Sequence, residues 1–339
     1  MDNNEIVIVG AGVSGLACAS ALRDAGREAV ILERALRVGG RCATRHVDGQ
    51  PVDHGACFLH GSDPDFVALL ESLPGTYGGW PRRIVGSGPP CQPRAYTDGE
   101  TRVVPSEGVA ALPRRLAEGL EVRFDSKVRA IALGDDHVGL EVAGRTTAPR
   151  TLRARTVVFA LAFDQVWKLL KALPPAAPID PLRRLALRVG TDPSLTVLAG
   201  YPLEGTAVDF EALHPSETGP IQSIFVDSSK RVGPAMRVLV IQSNPAFART
   251  RLHTDPHAWS EELLAAAAAQ VGPWVARPRW KQAHRWCYAR AVPGTEQAEP
   301  TLLTLPGGAR IGICGENFAP MGGVEAAFLS GRRLAALLG

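Results

Sequence analysis

One run, EIVIVGAGVSGLACASALRDAGREAVILER from Glu5 to Arg34, limits what this chain can fold into more than any other. Ile6 to Val9 is an unbroken apolar stretch, as a parallel strand buried on both faces requires. Gly10-x-Gly12-x-x-Gly15 follows directly. Gly10 permits a tight turn, Gly12 lets backbone approach a pyrophosphate, and Gly15 lets the next helix lie close to the strand with its amino end towards the phosphates. Leu16, Ala19 and Leu22 keep helical spacing, and Gly26 is placed to stop the helix. A second strand, Ala29 to Leu32, ends at Glu33, with Arg34 beside it; a carboxylate there can accept hydrogen bonds from both ribose hydroxyls. Strand, glycines, helix, strand and acid in this order specify a dinucleotide site. The acid at 33 would repel a 2′-phosphate, so the predicted ligand is FAD or NAD and not NADP.

The bulk properties narrow the class. A chain of 339 residues holds one large or two medium domains, and 45% hydrophobic with 21% charged residues is the composition of a soluble globular protein. The net charge of +3 comes from 37 basic and 34 acidic residues with no Lys/Arg block, which argues against a nucleic-acid partner. No apolar run approaches the roughly 20 residues of a membrane span, and no cleavage-site pattern follows Ile6, so a cytoplasmic protein without membrane partners is expected. The six cysteines are irregularly spaced without CxxC and fit neither a disulfide framework nor a zinc site. Most are expected to be buried free thiols. His46 and His54 lack metal-ligand spacing, and no metal is expected.

The segment after the ribose acid carries Arg37-x-Gly39-Gly40-Arg41. This resembles the flavin-dependent amine oxidase superfamily, which includes monoamine oxidases, polyamine oxidases and renalases. The resemblance implies FAD, with Gly39 and Gly40 bringing backbone near the flavin diphosphate and ribityl chain and Arg41 supporting them as a fixed cation. VDHGACFLHG, Val52 to Gly61, is similar to the segment that follows in polyamine oxidases. It implies Asp53, Gly55 and Ala56 beside the flavin and His60 near the substrate cavity. His60 also reads as a core histidine satisfied by backbone.

The carboxyl-terminal ARIGICGENFAPMGGVEAAFLSGRRLAALLG gives a strand, Ile311 to Cys314, then Gly315-Glu316, then a helix opened by Gly322-Gly323-Val324-Glu325. It resembles the superfamily's closing motif. That implies Gly315 and Glu316 at the ribityl chain, and Gly323 and Val324 at a helix amino end facing the flavin's pyrimidine edge, where a dipole stabilises charge gathering on reduction. The same resemblance places Val128 at the adenine and the end of the strand Ala154 to Phe163 at the crossing into a substrate domain.

The middle reads as a loop from Tyr77 to Cys91, strand-like runs at Leu195 to Gly200, Ile221 to Asp227 and Val238 to Ser243, and a helix from Pro256 to Val271 with Asp255 as N-cap. SIFVDSSKRVGP, VLVIQSNPAFA and RWKQAHRWCYAR resemble the renalase branch. The predicted fold is α/β: a discontinuous Rossmann-type FAD-binding domain (1–75, 103–165 and 290–339) with an α+β substrate domain (76–102 and 166–289) containing a mixed or antiparallel sheet.

The pattern departs in one place. Many monoamine and polyamine oxidases carry a lysine that holds a water against flavin N5, but TDPSLTVLAGYPL has Ser194, Leu195 and Thr196 there. Lys230 and Lys281 are nearest, and both read as solvated surface lysines. The function implied is hydride abstraction from a carbon next to nitrogen, in an amine or a reduced nicotinamide-type substrate, with the flavin reoxidised by O2 to give H2O2. His60, Trp286, Tyr288 and Asn317 are placed on the substrate face, with Phe318 close by. Cys287 resembles the cysteine that monoamine oxidases bond to the flavin 8α carbon, although the residues around it look like renalases, whose flavin is free. Taken alone Cys287 reads as a buried thiol, and flavin release by acid is the expectation. The rival readings are an FAD-dependent desaturase or isomerase for an apolar metabolite, and a non-catalytic flavin- or NAD-binding module.

Overall fold

The computed structural model describes residues 2–146, 148–216, 219–319 and 322–339. The chain divides into two compact units, 1–41, 112–191 and 290–339 in the first, and 42–111 and 192–289 in the second.

The first unit is built on a central parallel sheet. The opening strand, Asp2–Val9, lies between Val30–Leu32 and Arg150–Phe159, parallel to both, and Glu121–Arg123 closes the far edge. On its other side Arg150–Phe159 is shared between two partners. Residues 150–154 pair antiparallel with Val138–Ala143, while 156–159 pair parallel with Arg310–Ile313. This division puts the carboxyl ends of the opening strand, Arg150–Phe159 and Arg310–Ile313 together at one edge, the position at which parallel α/β sheets take ligands. The strands are apolar towards that edge because both faces are covered there: Val7, Val157, Ile311 and Ile313 are all fully buried.

The opening helix, Val13–Asp24, and the closing helix, Gly323–Leu338, pack against each other. They meet at Gly331, where a Cβ would fall 2.2 Å from the Ser14 carbonyl oxygen and 2.9 Å from the Cys18 nitrogen. The helices Phe163–Leu170 and Asp180–Arg188 close the core with Phe163, Val166, Leu170 and Leu182.

The second unit is a six-stranded sheet in the order Trp280–Ala291, Thr191–Tyr201, Arg237–Ser243, Ile221–Val226, Ala212–Leu213, Ile84–Val85. Its two faces follow the period-2 alternation of the strands. Leu195, Val197 and Ala199, with Leu239 and Ile241, pack against the helix Pro256–Val271 through Trp259, Leu263 and Leu264. Leu198, Val240 and Phe225 on the other face pack against Val52, Phe58, Trp80 and Val104. The helix Pro256–Val271 spans the predicted residues, and Asp255 caps it by accepting from the His257 N–H at 3.1 Å.

The division differs from the predicted one. Residues 42–75 and 103–111 belong to the second unit, because Val52, Phe58 and Val104 cover its sheet. Residues 166–191 belong to the first, because their helices complete its core. The predicted loop from Tyr77 to Cys91 contains two short strands, Tyr77–Gly78 and Ile84–Val85. Among the described residues no helix is long and apolar enough to cross a membrane.

Because the atoms facing Gly331 are backbone, a methyl group there must push the two helices apart. Gly331→Ala should cost about 2 kcal/mol or more and lower Tm by about 5 °C, measured by thermal denaturation.

Candidate functional site

At the carboxyl end of the opening strand the glycines act as the sequence requires. Gly10 takes φ +108°, and a Cβ there would lie 2.6 Å from the Ala160 carbonyl oxygen. A Cβ on Gly15 would lie 2.1 Å from the Gly10 carbonyl oxygen. Gly12 is different: it is the N-cap of the opening helix, and nothing stands within 4 Å of its Cβ position. Gly10 makes the turn, Gly15 lets the helix lie against it, and Gly12 faces open space at the helix amino end, an arrangement suited to an anion. Glu33 stands beside it, accepting from the Ala11 N–H at 2.9 Å and the Ala35 N–H at 2.8 Å. Arg34 is exposed next to it. Ser126 N–H donates to the Glu33 carbonyl oxygen at 2.8 Å, which brings Val128, buried on Lys127–Leu133, close to the acid.

Gly39 and Gly40 take φ +123° and +56°, and Gly39 N–H donates to the Ala11 carbonyl oxygen at 2.8 Å, so the second motif is laced onto the first. Arg41 forms an ion pair with Glu316, 275 residues away. Glu316 follows the strand Arg310–Ile313 and Gly315, whose N–H donates to Ser330 Oγ at 3.0 Å. Asn317 is buried, and its Nδ2 has no hydrogen-bond partner among the described residues. Gly323 and Val324 begin the closing helix. The first unit therefore offers an open helix amino end, a carboxylate, a cation and a buried donor without a partner among the described residues. This set fits a flavin dinucleotide: helix end and carboxylate suit its adenosine diphosphate half, and the buried amide suits a polar ring edge.

The second unit gathers polar side chains at one end of its sheet. Thr196, Gln242 and Ser223 are consecutive in register across three strands, Thr196 opposite Gln242 and Gln242 opposite Ser223. A bulge between Ile221 and Ser223 sets that last pairing, a device that re-aims side chains beside functional sites. Cys91 Sγ lies 3.0 Å from Ser223 Oγ and 3.1 Å from Gln242 Oε1. His214 Nδ1 lies 2.8 Å from Ser223 Oγ, and Tyr96 OH lies 3.3 Å from His214 Nε2. Gln242 Nε2 donates to the Gly55 carbonyl oxygen at 2.8 Å, placing Gly55 and Ala56 at the same end. Thr196 Oγ1 is buried without a partner among the described residues.

His54, next to Gly55, stacks with His284 and Trp286, and Trp286 Nε1 donates to the His54 carbonyl oxygen at 2.9 Å. Arg45 Nη2 is 2.9 Å from His284 Nδ1. Burial, with the Arg45 guanidinium adding to it, holds His54 down to about 3 and His284 down to about 4. Burial also lowers His214. All three imidazoles are therefore neutral at pH 7.

Comparison with known proteins agrees with this geometry. Residues 8–73 match the NAD(P)-binding Rossmann-like domain, and residues 75–338 match flavin containing amine oxidoreductase. The chain belongs to the flavin-containing amine oxidoreductase family. Curated relatives match over short stretches: polyamine oxidase 3 of Oryza sativa subsp. japonica is 49% identical over 55 residues, 16% of this chain and 11% of that protein. Coproporphyrinogen III oxidase of Mycobacterium bovis is 36% identical over 109 residues, 31% of this chain and 23% of that protein. The aligned part thus spans about a tenth to a quarter of these relatives. Solved structures match over the whole fold. Putrescine oxidase bound to putrescine has a TM-score of 0.71 at 17% identity and covers 99% of each chain. Cyclohexylamine oxidase from Brevibacterium oxydans has 0.71 at 17%, covering 99% of this chain and 98% of its own.

In this family member several assigned residues lie elsewhere than expected. His60 is buried and its Nδ1 is hydrogen-bonded to Glu100 at 2.7 Å, while Arg94 holds the second oxygen of that carboxylate at 2.6 Å. Burial opposes ionisation of Glu100, but His60 and Arg94 together hold its carboxyl below the usual range. His60 is thus held by a carboxylate. Cys287 is exposed, not buried. The strand Trp280–Ala291 alternates, so Arg285 and Cys287 share one face while His284, Trp286 and Tyr288 share the other. Lys281 is half-buried and paired with Glu261.

Lys230 is the largest correction. Its side chain is fully buried, donating to Asp53 Oδ2 at 2.8 Å and to the Cys57 carbonyl oxygen at 2.6 Å, with Asp227 Oδ1 at 2.5 Å. It lies over the Trp80 ring at 4.9 Å. Arg231, also buried, donates to Asp53 Oδ2 at 2.9 Å. Two cations and two carboxylates thus neutralise one another inside the second unit. Burial works against Asp53 ionising, yet the two cations and Thr44 outweigh it and hold the carboxyl low. For Asp227 burial prevails, and its carboxyl is raised. Lys230→Met leaves the buried carboxylates undercompensated and should cost about 3–5 kcal/mol, read from the urea midpoint.

A second test concerns pH. The folded protein keeps His54 and His284 neutral down to about 3 and 4, whereas the unfolded chain protonates both near 6.5. The unfolded state binds more protons in that window, so their contribution is intact above pH 6.5 and is lost as pH falls towards 4. Tm should drop between pH 7 and pH 5, and His284→Phe should make the drop smaller.

Proposed function

We propose that this protein holds FAD without a covalent bond and oxidises a small amine bound in its neutral form, with oxygen accepting the electrons as hydrogen peroxide. The observation that carries this reading is the polar end of the second unit's sheet, where the polar side chains bond to no carboxylate among the described residues. Thr196, Ser223, Gln242, Cys91, His214, His54 and His284 present hydroxyls, an amide, a thiol and neutral imidazoles. A carboxylate there would stabilise an ammonium and keep the nitrogen lone pair protonated. The Arg45 guanidinium beside His284 disfavours an ammonium further.

The first unit holds the cofactor. Glu33 accepts from the ribose hydroxyls, the amino end of the opening helix faces the diphosphate, and Arg41 with Glu316 supports the chain between diphosphate and ring. Asn317 Nδ2 donates to the ring edge, a binding role and not a catalytic one. Bound FAD supplies the acceptor for a hydride from the carbon next to nitrogen. Trp286 and Tyr288 supply an aromatic wall for the substrate, oriented by the bond from Trp286 to His54. The net change is a C–N single bond to an imine, with two electrons and two protons leaving for oxygen.

The purified protein should be yellow, and acid precipitation should leave the flavin in the supernatant. Anaerobic amines should bleach the flavin, and air should restore it with one peroxide per amine. If the amine binds neutral, kcat/KM rises about tenfold per pH unit up to the amine's own pKa. Glu33→Ala should weaken FAD binding by about tenfold or more. Bleaching by dihydronicotinamides and not by amines would move the assignment to a nicotinamide substrate; bleaching by neither would overturn it.

A further inference from the structure

We infer that Tyr96, His214, Ser223 and Cys91 are positioning residues of the second unit, acting in series through one hydrogen-bond chain that runs in a single direction and ends, through Gln242, on the segment that holds Trp286. Trp286 faces a substrate only under the amine reading above, on which that part rests; the direction of the chain follows from the chemistry of its members.

The direction is fixed at the Gln242 end. The Gly55 carbonyl oxygen can only accept, so the Gln242 atom 2.8 Å from it is the amide nitrogen, and the amide oxygen is the atom 3.1 Å from Cys91 Sγ. That oxygen also can only accept, so Cys91 is a thiol and its single hydrogen points to Gln242. With the hydrogen engaged, Cys91 Sγ can only accept from Ser223, whose Oγ is 3.0 Å away. The one hydroxyl hydrogen of Ser223 is engaged in turn, and the 2.8 Å contact between Ser223 Oγ and His214 Nδ1 needs a hydrogen from the ring. Burial keeps His214 neutral, against a smaller opposing pull from a hydrogen bond with the Gln222 backbone. A neutral ring protonated at Nδ1 carries a lone pair at Nε2. Tyr96 OH, 3.3 Å away, donates to it. Reversing any one member would set two hydrogens or two lone pairs face to face.

The chain ends where the aromatic wall is held. Gly55 follows His54, whose carbonyl oxygen accepts from Trp286 Nε1 at 2.9 Å. Two successive backbone carbonyls are thus fixed by side chains from different strands, Gln242 on Arg237–Ser243 and Trp286 on Trp280–Ala291. Between the two peptide planes stands a glycine, the residue that resists backbone rotation least. The bond from Gln242 supplies the restraint there, and the His54 carbonyl, with the indole bonded to it, keeps its direction. Tyr96, at the end of the short helical turn Pro93–Tyr96, acts on Trp286 through the intervening members of the chain.

The test is nuclear magnetic resonance of the full-length protein labelled with nitrogen-15 at histidine and tryptophan. Two-bond proton–nitrogen correlations read the tautomer of His214, identified by its loss in His214→Gln. The indole N–H of Trp286, identified by its loss in Trp286→Phe, reads the wall. His214 should be protonated at Nδ1 and bare at Nε2. Gln242→Met removes the acceptor that fixes the direction, and Cys91→Ala cuts the chain; in either, the Nε2–H form should appear and the Trp286 N–H resonance should shift. Cys91→Ser restores one hydrogen and a lone pair and should keep both signals of the unaltered protein, with circular dichroism reporting that each variant is folded. An Nε2–H tautomer in the unaltered protein, or an Nδ1–H tautomer that persists in both Gln242→Met and Cys91→Ala, would overturn the chain. A Trp286 resonance that stays the same in both would overturn its effect on the wall. Failure of amines to bleach the flavin would take the substrate from Trp286 and leave these spectra as they are, so the two readings fail separately.

Discussion

Where the opening strand turns into its helix there is no room for a side chain, and the first unit is organised around that fact. With only hydrogen at Gly10 and Gly15, the helix Val13–Asp24 lies against the sheet, and the carbonyls of Gly10 and Ala160 occupy the space side chains would fill. A helix held so close can also be approached closely from outside, which Gly331 allows the closing helix to do. The carboxyl end of the chain is thereby brought to the nucleotide edge of the sheet. From there Glu316 reaches Arg41, and Asn317 is buried with an open donor. Close contacts that require small residues thus bring together segments about 275 residues apart, where Arg41 meets Glu316.

The second unit solves a different problem, giving one sheet two unlike faces. One face is apolar along its length and buries the helix Pro256–Val271. The other is graded: polar at one end, apolar in the middle where Phe58 and Trp80 pack, and charged at the other where Lys230 and Arg231 meet Asp53 and Asp227. The charged end contributes little net stability, since desolvation offsets most of the attraction. Its effect is to fix the segment 42–111 over the sheet, because Asp53 comes from that segment and both cations come from the sheet's side.

Local signals were legible in the sequence and long-range ones were not. The glycine turn, the ribose acid, the capped helix at Pro256 and the buried strands each depend on residues a few positions apart, so spacing and polarity reveal them. The burial of Lys230 depends on a carboxylate 177 residues earlier, and a lysine read alone is a surface residue. The unit boundaries moved for the same reason: whether 42–111 packs on one sheet or another is decided by contacts between distant segments. The polar end of the second sheet left a trace, since Thr196, Ser223 and Gln242 each interrupt an apolar strand. Their meeting depends on register across three strands, and one register depends on a bulge that no residue announces.

The alternation of the strand Trp280–Ala291 separates two chemical strategies for keeping a cofactor. Cys287 shares its face with Arg285 and the solvent, while the aromatic residues on either side of it turn the other way. A thiol placed so is a poor tether, however suitable its chemistry. Under the non-covalent reading proposed above, the sequence neighbours of a linking cysteine are present without the link because strand phase turns Cys287 to the face of Arg285. Inserting or deleting one residue ahead of Cys287 would exchange the two faces, turning the thiol to the side that His284, Trp286 and Tyr288 now occupy.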